Sequence, residues 1–125
     1  MANSRRDKAD SYTLRARKEG YPARSVYKLE EINNTHRLIK PGDFVLDVGA
    51  APGSWSLFTH RELIKGRGKI VSVDLNPLNI DPIPPTIIPF VGDAFSSEIK
   101  EKLIKEGPYD AIISDAAPMT TGNRT

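Results

Sequence analysis

The stretch Phe44-Val45-Leu46-Asp47-Val48-Gly49-Ala50-Ala51-Pro52-Gly53 decides the fold. Its first half is a short, nearly continuous apolar run, which predicts a strand covered on both faces. Its second half is a loop of small residues, and residues 54–65 then predict a helix stopped at Lys65-Gly66-Arg67-Gly68. Strand, tight loop and helix in that order open a βαβ unit.

Downstream the alternation continues. Lys69 to Asp74 predicts a second strand, and residues 76–85, with four prolines, an irregular connection. Ile87 to Val91 predicts a third strand. Pro89 cannot donate to a ladder, so this strand belongs at a sheet edge. Ser96 is placed to cap a helix reaching about residue 106, with Phe95, Ile99 and Leu103 at four-residue spacing and Gly107-Pro108 as its stop. Asp110 to Ser114 predicts the fourth strand.

Upstream, residues 5–19 predict a polar helix ended by Gly20 and Pro22. Ser25 is placed to cap a second helix over 26–34, with Val26, Leu29 and Ile32 inward and Asn33-Asn34 closing it. The expected architecture is α/β, Rossmann-like, with about four parallel strands in the order 3-2-1-4 and two helices in front. The expected organisation is a basic helical segment over 1–40, a ligand-binding body over 41–119 and a tail over 120–125.

A chain of 125 residues makes about one domain. Hydrophobic content of 38% and charged content of 27% exclude collagen, coiled coil and wholesale disorder. The absence of cysteine excludes disulfides and thiolate metal sites, and His36 and His60 stand too far apart in sequence to predict a zinc site, so no metal is expected. No apolar run is long enough to span a bilayer, and no apolar stretch follows the charged N-terminus, so a cytoplasmic protein without membrane contact is expected. Residues 1–40 hold ten Lys/Arg against five Asp/Glu, while residues 41–125 hold eight against eleven. A basic arm on a mildly acidic body suits a polyanion such as RNA, although a solvated helix face gives the same pattern. Arg5, Arg6, Arg15, Arg17, Lys18 and Arg24 are the candidate RNA contacts.

Ligands of an open parallel sheet bind beyond the carboxyl ends of its strands. Asp74, Asp93 and Asp115 stand at three of those ends, and Asp47 just before the loop. Gly49 and Gly53 let backbone approach a ligand closely. The loop is neither GxGxxG nor a Walker loop, and Pro52, expected near the helix start, removes a donor that a pyrophosphate would use. Asp74 is where a Rossmann-like sheet puts the acid for ribose hydroxyls, and Asp93 is where an adenine amino group would arrive. Either could instead be a turn or capping Asp. Together with the loop they point to S-adenosylmethionine rather than a nicotinamide dinucleotide.

Asp47-Val-Gly-Ala-Ala-Pro-Gly-Ser-Trp55 closely resembles the cofactor motif of the FtsJ-like RNA ribose 2′-O-methyltransferases. The resemblance runs from about Arg5 to Arg124. It is carried also by Ala23-Arg24-Ser25-Val26-Tyr27-Lys28-Leu29, Asp74-Leu75-Asn76-Pro77, Gly92-Asp93 and Ser114-Asp115-Ala116-Ala117-Pro118. Five motifs in order at matching separations are specific. Ser54 stands where many members have glycine, and Ala94 where some have an aromatic residue.

The resemblance implies a Rossmann-like fold and methyl transfer from S-adenosylmethionine, leaving S-adenosylhomocysteine, to a ribose 2′-hydroxyl. Large-subunit ribosomal RNA is the favoured substrate, with tRNA or an mRNA cap as alternatives. The implied cofactor contacts are Asp47, Gly49, Ala50, Pro52, Gly53, Trp55, Asp74, Leu75, Asp93, Ala94 and Asp115. The family's active site is a Lys-Asp-Lys-Glu tetrad, in which Lys28 resembles the first Lys and Asp115 the Asp. A ribose hydroxyl is a poor acid, so a Lys kept neutral by burial or like charge could take its proton or stabilise the oxyanion. Nothing after Asp115 resembles the second Lys or the Glu. The chain is therefore expected to be the N-terminal portion of such an enzyme, with a cofactor-binding module without catalysis as the alternative. Its fourth strand is expected to drive self-association.

Overall fold

The computed structural model describes the backbone of residues 4–115 and the side chains of residues 11–115. The side chains of Arg5 and Arg6, the Ala116-Ala117-Pro118 end of the last motif and the expected tail over 120–125 lie outside the described residues.

Four parallel strands form one sheet in the order β3-β2-β1-β4. They are β1 (Phe44–Val48), β2 (Lys69–Asp74), β3 (Ile87–Val91) and β4 (Ala111–Ile113). β1 is central: Val45 stands opposite Ile70 of β2 and Ala111 of β4, and Asp47 opposite Ser72 and Ile113. Among the described residues β3 is an edge strand paired only to β2, with Pro89 opposite Ser72, as its proline requires. β4 is shorter than expected. Asp110 leaves the ladder to clasp the start of β1, accepting the Phe44 N–H at Oδ2 (2.8 Å) and donating its own N–H to the Phe44 carbonyl (2.7 Å).

The pleat divides the core in two. Val45, Ile70, Ile87 and Ile113 point to one side. There they join Ala16 of α1 (Ser4–Glu19), Val26 and Leu29 of α2 (Val26–His36), and Trp55 and Leu57 of α3 (Ser54–Phe58). Residues from both sides of position 40 enter this one cluster. Leu46, Val71 and Val73 point the other way, onto Ile99 and Leu103 of α4 (Ser97–Glu106).

The helices depart from expectation in four places. Ser25 precedes α2 but makes no side-chain cap; it is helical itself, with its carbonyl taken elsewhere. α2 runs on past Asn33-Asn34 to His36 and stops at Arg37 in the left-handed region, while the Asn33 side chain catches the Ile39 N–H (2.9 Å). The helix expected over 54–65 is α3 followed by a π-helical turn, Thr59–Leu63. Within that turn His60 Nδ1 meets Thr86 Oγ1 at 2.7 Å, a tertiary contact that local sequence does not encode. Phe95 is exposed and lies before α4, so the inward stripe is Ile99 and Leu103. Ser96 does cap α4, accepting the Ile99 N–H. Among the described residues no helix is long and apolar enough to cross a membrane.

Candidate active site

The loop after β1 is tied down by β2. The amides of Gly49 and Ala50 donate to the Val73 carbonyl (2.8 and 3.1 Å), and that of Ala51 to Asp74 Oδ2 (3.0 Å). Pro52 has no amide proton and stands one residue before the N-cap of α3, rather than inside its first turn. The N-cap is Gly53, at φ 118°, a conformation that L side chains rarely adopt. A Cβ on Gly53 would come within 2.6 Å of Ile80 Cδ1. Only Gly53 has an amide outside the set already bonded to β2 or missing, so the loop is no cradle for a pyrophosphate.

Asp74 ends β2 and does two structural jobs, accepting Ala51 N–H at Oδ2 and Asn76 N–H at Oδ1 (2.9 Å). Each oxygen keeps a further lone pair for a ligand hydroxyl. Asp93 is exposed and holds an Asx turn, accepting the Phe95 N–H at Oδ1 (2.9 Å), with Oδ2 left for a donor. Asp115, half-buried, follows β4. Among the described residues none of these acids, nor Asp47, is in an ion pair.

Asp47 is fully buried between the sheet and α3. Its Oδ2 accepts the Ser56 hydroxyl (2.7 Å), which lies 2.6 Å from the Ser72 hydroxyl, and its Oδ1 has no partner. Burial pushes its carboxyl up to about 7; the Ser56 bond opposes this, and the negative charges of Asp115 and Asp74 add to it. Asp115 and Asp74 thus act on a third carboxyl, Asp47, beside a loop with few free amides. That donor set fits a ligand with hydroxyls, an amine and positive charge, as S-adenosylmethionine has, and does not fit a dinucleotide pyrophosphate.

Other expected contacts stand differently. Trp55 is 5% exposed, sits in the core with Val26 and Leu29, and donates its indole N–H to the Ser25 carbonyl (2.9 Å). That bond joins the loop to the approach to α2. Leu75 is exposed beside Asp74, and Ala94 packs against the α4-side core. Lys28 is exposed, so burial is not what the structure gives it. It lines a cavity of about 360 Å³ with Tyr12, Arg24, Ser25, Tyr27 and Glu31. Arg17, Lys18 and Arg24 are exposed, whereas Arg15 bonds Glu19 (3.1 Å) and lies 4.2 Å from the Tyr27 ring centroid.

The sequence left Ser54, Ser56 and Ser72 without assigned work. Ser54 Oγ accepts the Ala23 N–H (2.7 Å) and donates to the Ala23 carbonyl (3.1 Å), fixing the segment just before α2. Ser72 carried the one readable signal, a hydroxyl between Val71 and Val73 in an otherwise apolar strand.

The model of the FtsJ-like methyltransferase family matches residues 21–125. The chain is 47% identical over 125 residues to "Ribosomal RNA large subunit methyltransferase E" of Treponema denticola, covering all of this chain and 62% of that protein. It is 46% identical over 115 residues to the protein of the same name from Sorangium cellulosum, covering 92% and 53%. A ribosomal RNA methyltransferase crystal structure from Plasmodium falciparum superposes with a TM-score of 0.63 at 31% identity, covering 82% of this chain and 60% of that one. The chain thus spans under two thirds of the length of these relatives.

Proposed function

The chain belongs to the FtsJ-like methyltransferase family, and from that premise we propose that it forms the cofactor-binding part of a cytoplasmic enzyme that methylates a ribose 2′-hydroxyl of ribosomal RNA. The observation that carries this reading is the loop itself. Its amides at Gly49, Ala50 and Ala51 are already bonded to β2, and carboxylates rather than cations surround it. S-adenosylmethionine supplies, when bound, a methyl group on a positively charged sulfur. Asp74 accepts the ribose hydroxyls and Asp93 an adenine amine, while Gly49, Ala50, Pro52 and Gly53 bring backbone close to the nucleoside. Asp47, buried beneath the loop, holds α3 through Ser56 and adds negative charge under the cofactor when it is ionised. Asp115 and Lys28 flank the reacting hydroxyl, Lys28 to stabilise the oxygen as its proton passes to solvent water and Asp115 to orient that Lys. Arg15, Arg17, Lys18 and Arg24, with Arg5 and Arg6, hold RNA phosphates, which positions the strand without reading its sequence. The names of the Treponema and Sorangium relatives support ribosomal RNA as the substrate.

Calorimetric titration with S-adenosylmethionine, S-adenosylhomocysteine and NAD tests the cofactor. The first two should bind and NAD should not; NAD binding as tight as either would overturn the assignment. The sheet edge carries a second part of the reading. Among the described residues β4 has one neighbour, and Ile112 is 67% exposed on it. An unpaired apolar strand templates pairing with a second chain, most simply antiparallel with its own copy. Sedimentation at micromolar concentration should show dimers, and a clean monomer over that range would contradict it.

A further inference from the structure

Tyr12 of α1 is 43% exposed although an aromatic ring gains from burial. Its ring stacks on that of Tyr27 of α2, with centroids 5.6 Å apart and planes 30° from parallel. Tyr27 is held in turn: its hydroxyl donates to Glu19 Oε1 (2.7 Å), and the Arg15 guanidinium lies against its ring. Tyr12 is therefore an open ring on a fixed support. The cavity beside it, about 360 Å³, is shared with Arg24 and Lys28 and rimmed by Glu31. That is room for a nucleobase. An aromatic face next to two exposed cations has the composition of a single-strand contact, in which a base stacks while its phosphates meet the cations. Glu31 repels phosphate but accepts from an exocyclic amine, so it favours a base over a phosphate on its side.

We propose that Tyr12 is a stacking platform for one unpaired RNA base next to the nucleotide whose ribose reaches Lys28, with Arg24 on the intervening phosphate. The inference rests on the reading of Lys28 as the residue at the reacting hydroxyl and of RNA as the substrate. Tyr12 is a positioning residue: it holds a neighbouring base and touches no reacting atom. The Tyr12–Tyr27 stack also makes the platform continuous with the start of α2, so a base seated there is registered against the helix that carries Lys28.

The test uses the full chain and short single-stranded RNA oligomers, intact or with one abasic position moved along the strand, read by fluorescence anisotropy. Tyr12→Leu should weaken binding of the intact oligomer by about five- to a hundredfold, the range of one lost base–aromatic stack. Tyr12→Phe should restore it to within about twofold. One abasic position should weaken the parent protein by a similar factor and leave Tyr12→Leu unaffected, because both changes remove the same contact. The salt slope should not move, since no phosphate contact is lost. S-adenosylmethionine affinity of Tyr12→Leu should match the parent, which shows the fold intact. Equal RNA affinity of the parent and Tyr12→Leu would overturn the inference alone and leave the cavity to a protein partner. A parent protein that binds S-adenosylmethionine but no RNA would overturn the inference together with the RNA reading beneath it.

Discussion

Asp47 and Asp74 sit among hydrogen bonds made by the chain itself, whereas Arg17 and Lys18 on α1, Lys28 on α2 and Arg24 in the turn between them are exposed with no side-chain partner among the described residues. The two regions carry opposite charge and stand in opposite relation to the fold. At the strand ends the acids hold the loop, the turn after β2 and the α3–sheet contact. A charge removed there is felt in folding as well as in ligand affinity. These four cations are solvated, unlike Arg15, which is tied to Glu19 and Tyr27, so their removal is felt by a polyanion alone. A site for a small ligand must be built before the ligand arrives, and a site for a long polyanion can be a field.

The largest expected effect comes from Asp47, where the contrast is sharpest. Its carboxyl is raised to about 7 in the folded chain, above its unfolded value, so the native state holds a proton that the unfolded state has lost. Its contribution is fully present below about pH 4 and is lost as pH rises through 7, on the order of 4 kcal/mol in all. Asp47→Asn removes this slope. Urea melts of the two proteins at pH 5 and pH 8 should show the variant gaining on the parent at the higher pH; parallel curves would break the comparison at its strongest point.

Asp74→Ala comes next. It should weaken S-adenosylmethionine binding by about 1.5–3 kcal/mol. It also strands the Ala51 and Asn76 amides, so thermal stability should fall in the same variant. An affinity equal to the parent's would remove Asp74 from the ribose.

The smallest effects belong to the cations. Arg17→Ala and Arg24→Ala should each leave stability within about 0.5 kcal/mol. Each should reduce the log–log salt slope of single-stranded RNA binding by about 0.7. A substantial loss of stability in either variant would show the helical face to be structural after all.

How far the sequence could be read follows the same division. β1, β2 and β3 lie where their apolar runs put them; β1 and β2 are buried on both faces, so their own residues suffice to mark them, while β3 keeps its run with only Ile87 buried. β3 takes the edge because Pro89 leaves it no other place. Where an element depends on a distant partner, the reading falters. The π turn answers to Thr86, and the shortened β4 answers to the clasp between Asp110 and Phe44. The acids of the candidate site were legible from topology, since strand ends are where parallel sheets take ligands. Their second employment was not, because the amide of Ala51 that Asp74 accepts lies 23 residues away. Trp55 hid its structural partner for a related reason. Its place in the motif told of a ligand, and nothing in its spacing named Ser25 as its hydrogen-bond partner.

That bond between Trp55 and Ser25 also makes the protein its own reporter. Trp55 is the sole tryptophan in the chain, and it is buried where the first turn of α3 meets the approach to α2. Its emission therefore belongs to one joint, between the half of the molecule that carries the glycine loop and the half that presents Lys28. With α2 seated, the indole is dry and hydrogen-bonded, and it should emit toward the blue. If the helix lifts while the sheet stays folded, the colour should move red before circular dichroism registers any loss. No label need be attached to follow that motion, and a titration that brings RNA to the helices can be watched in the same cuvette, at the same wavelength, as one that brings the cofactor to the loop.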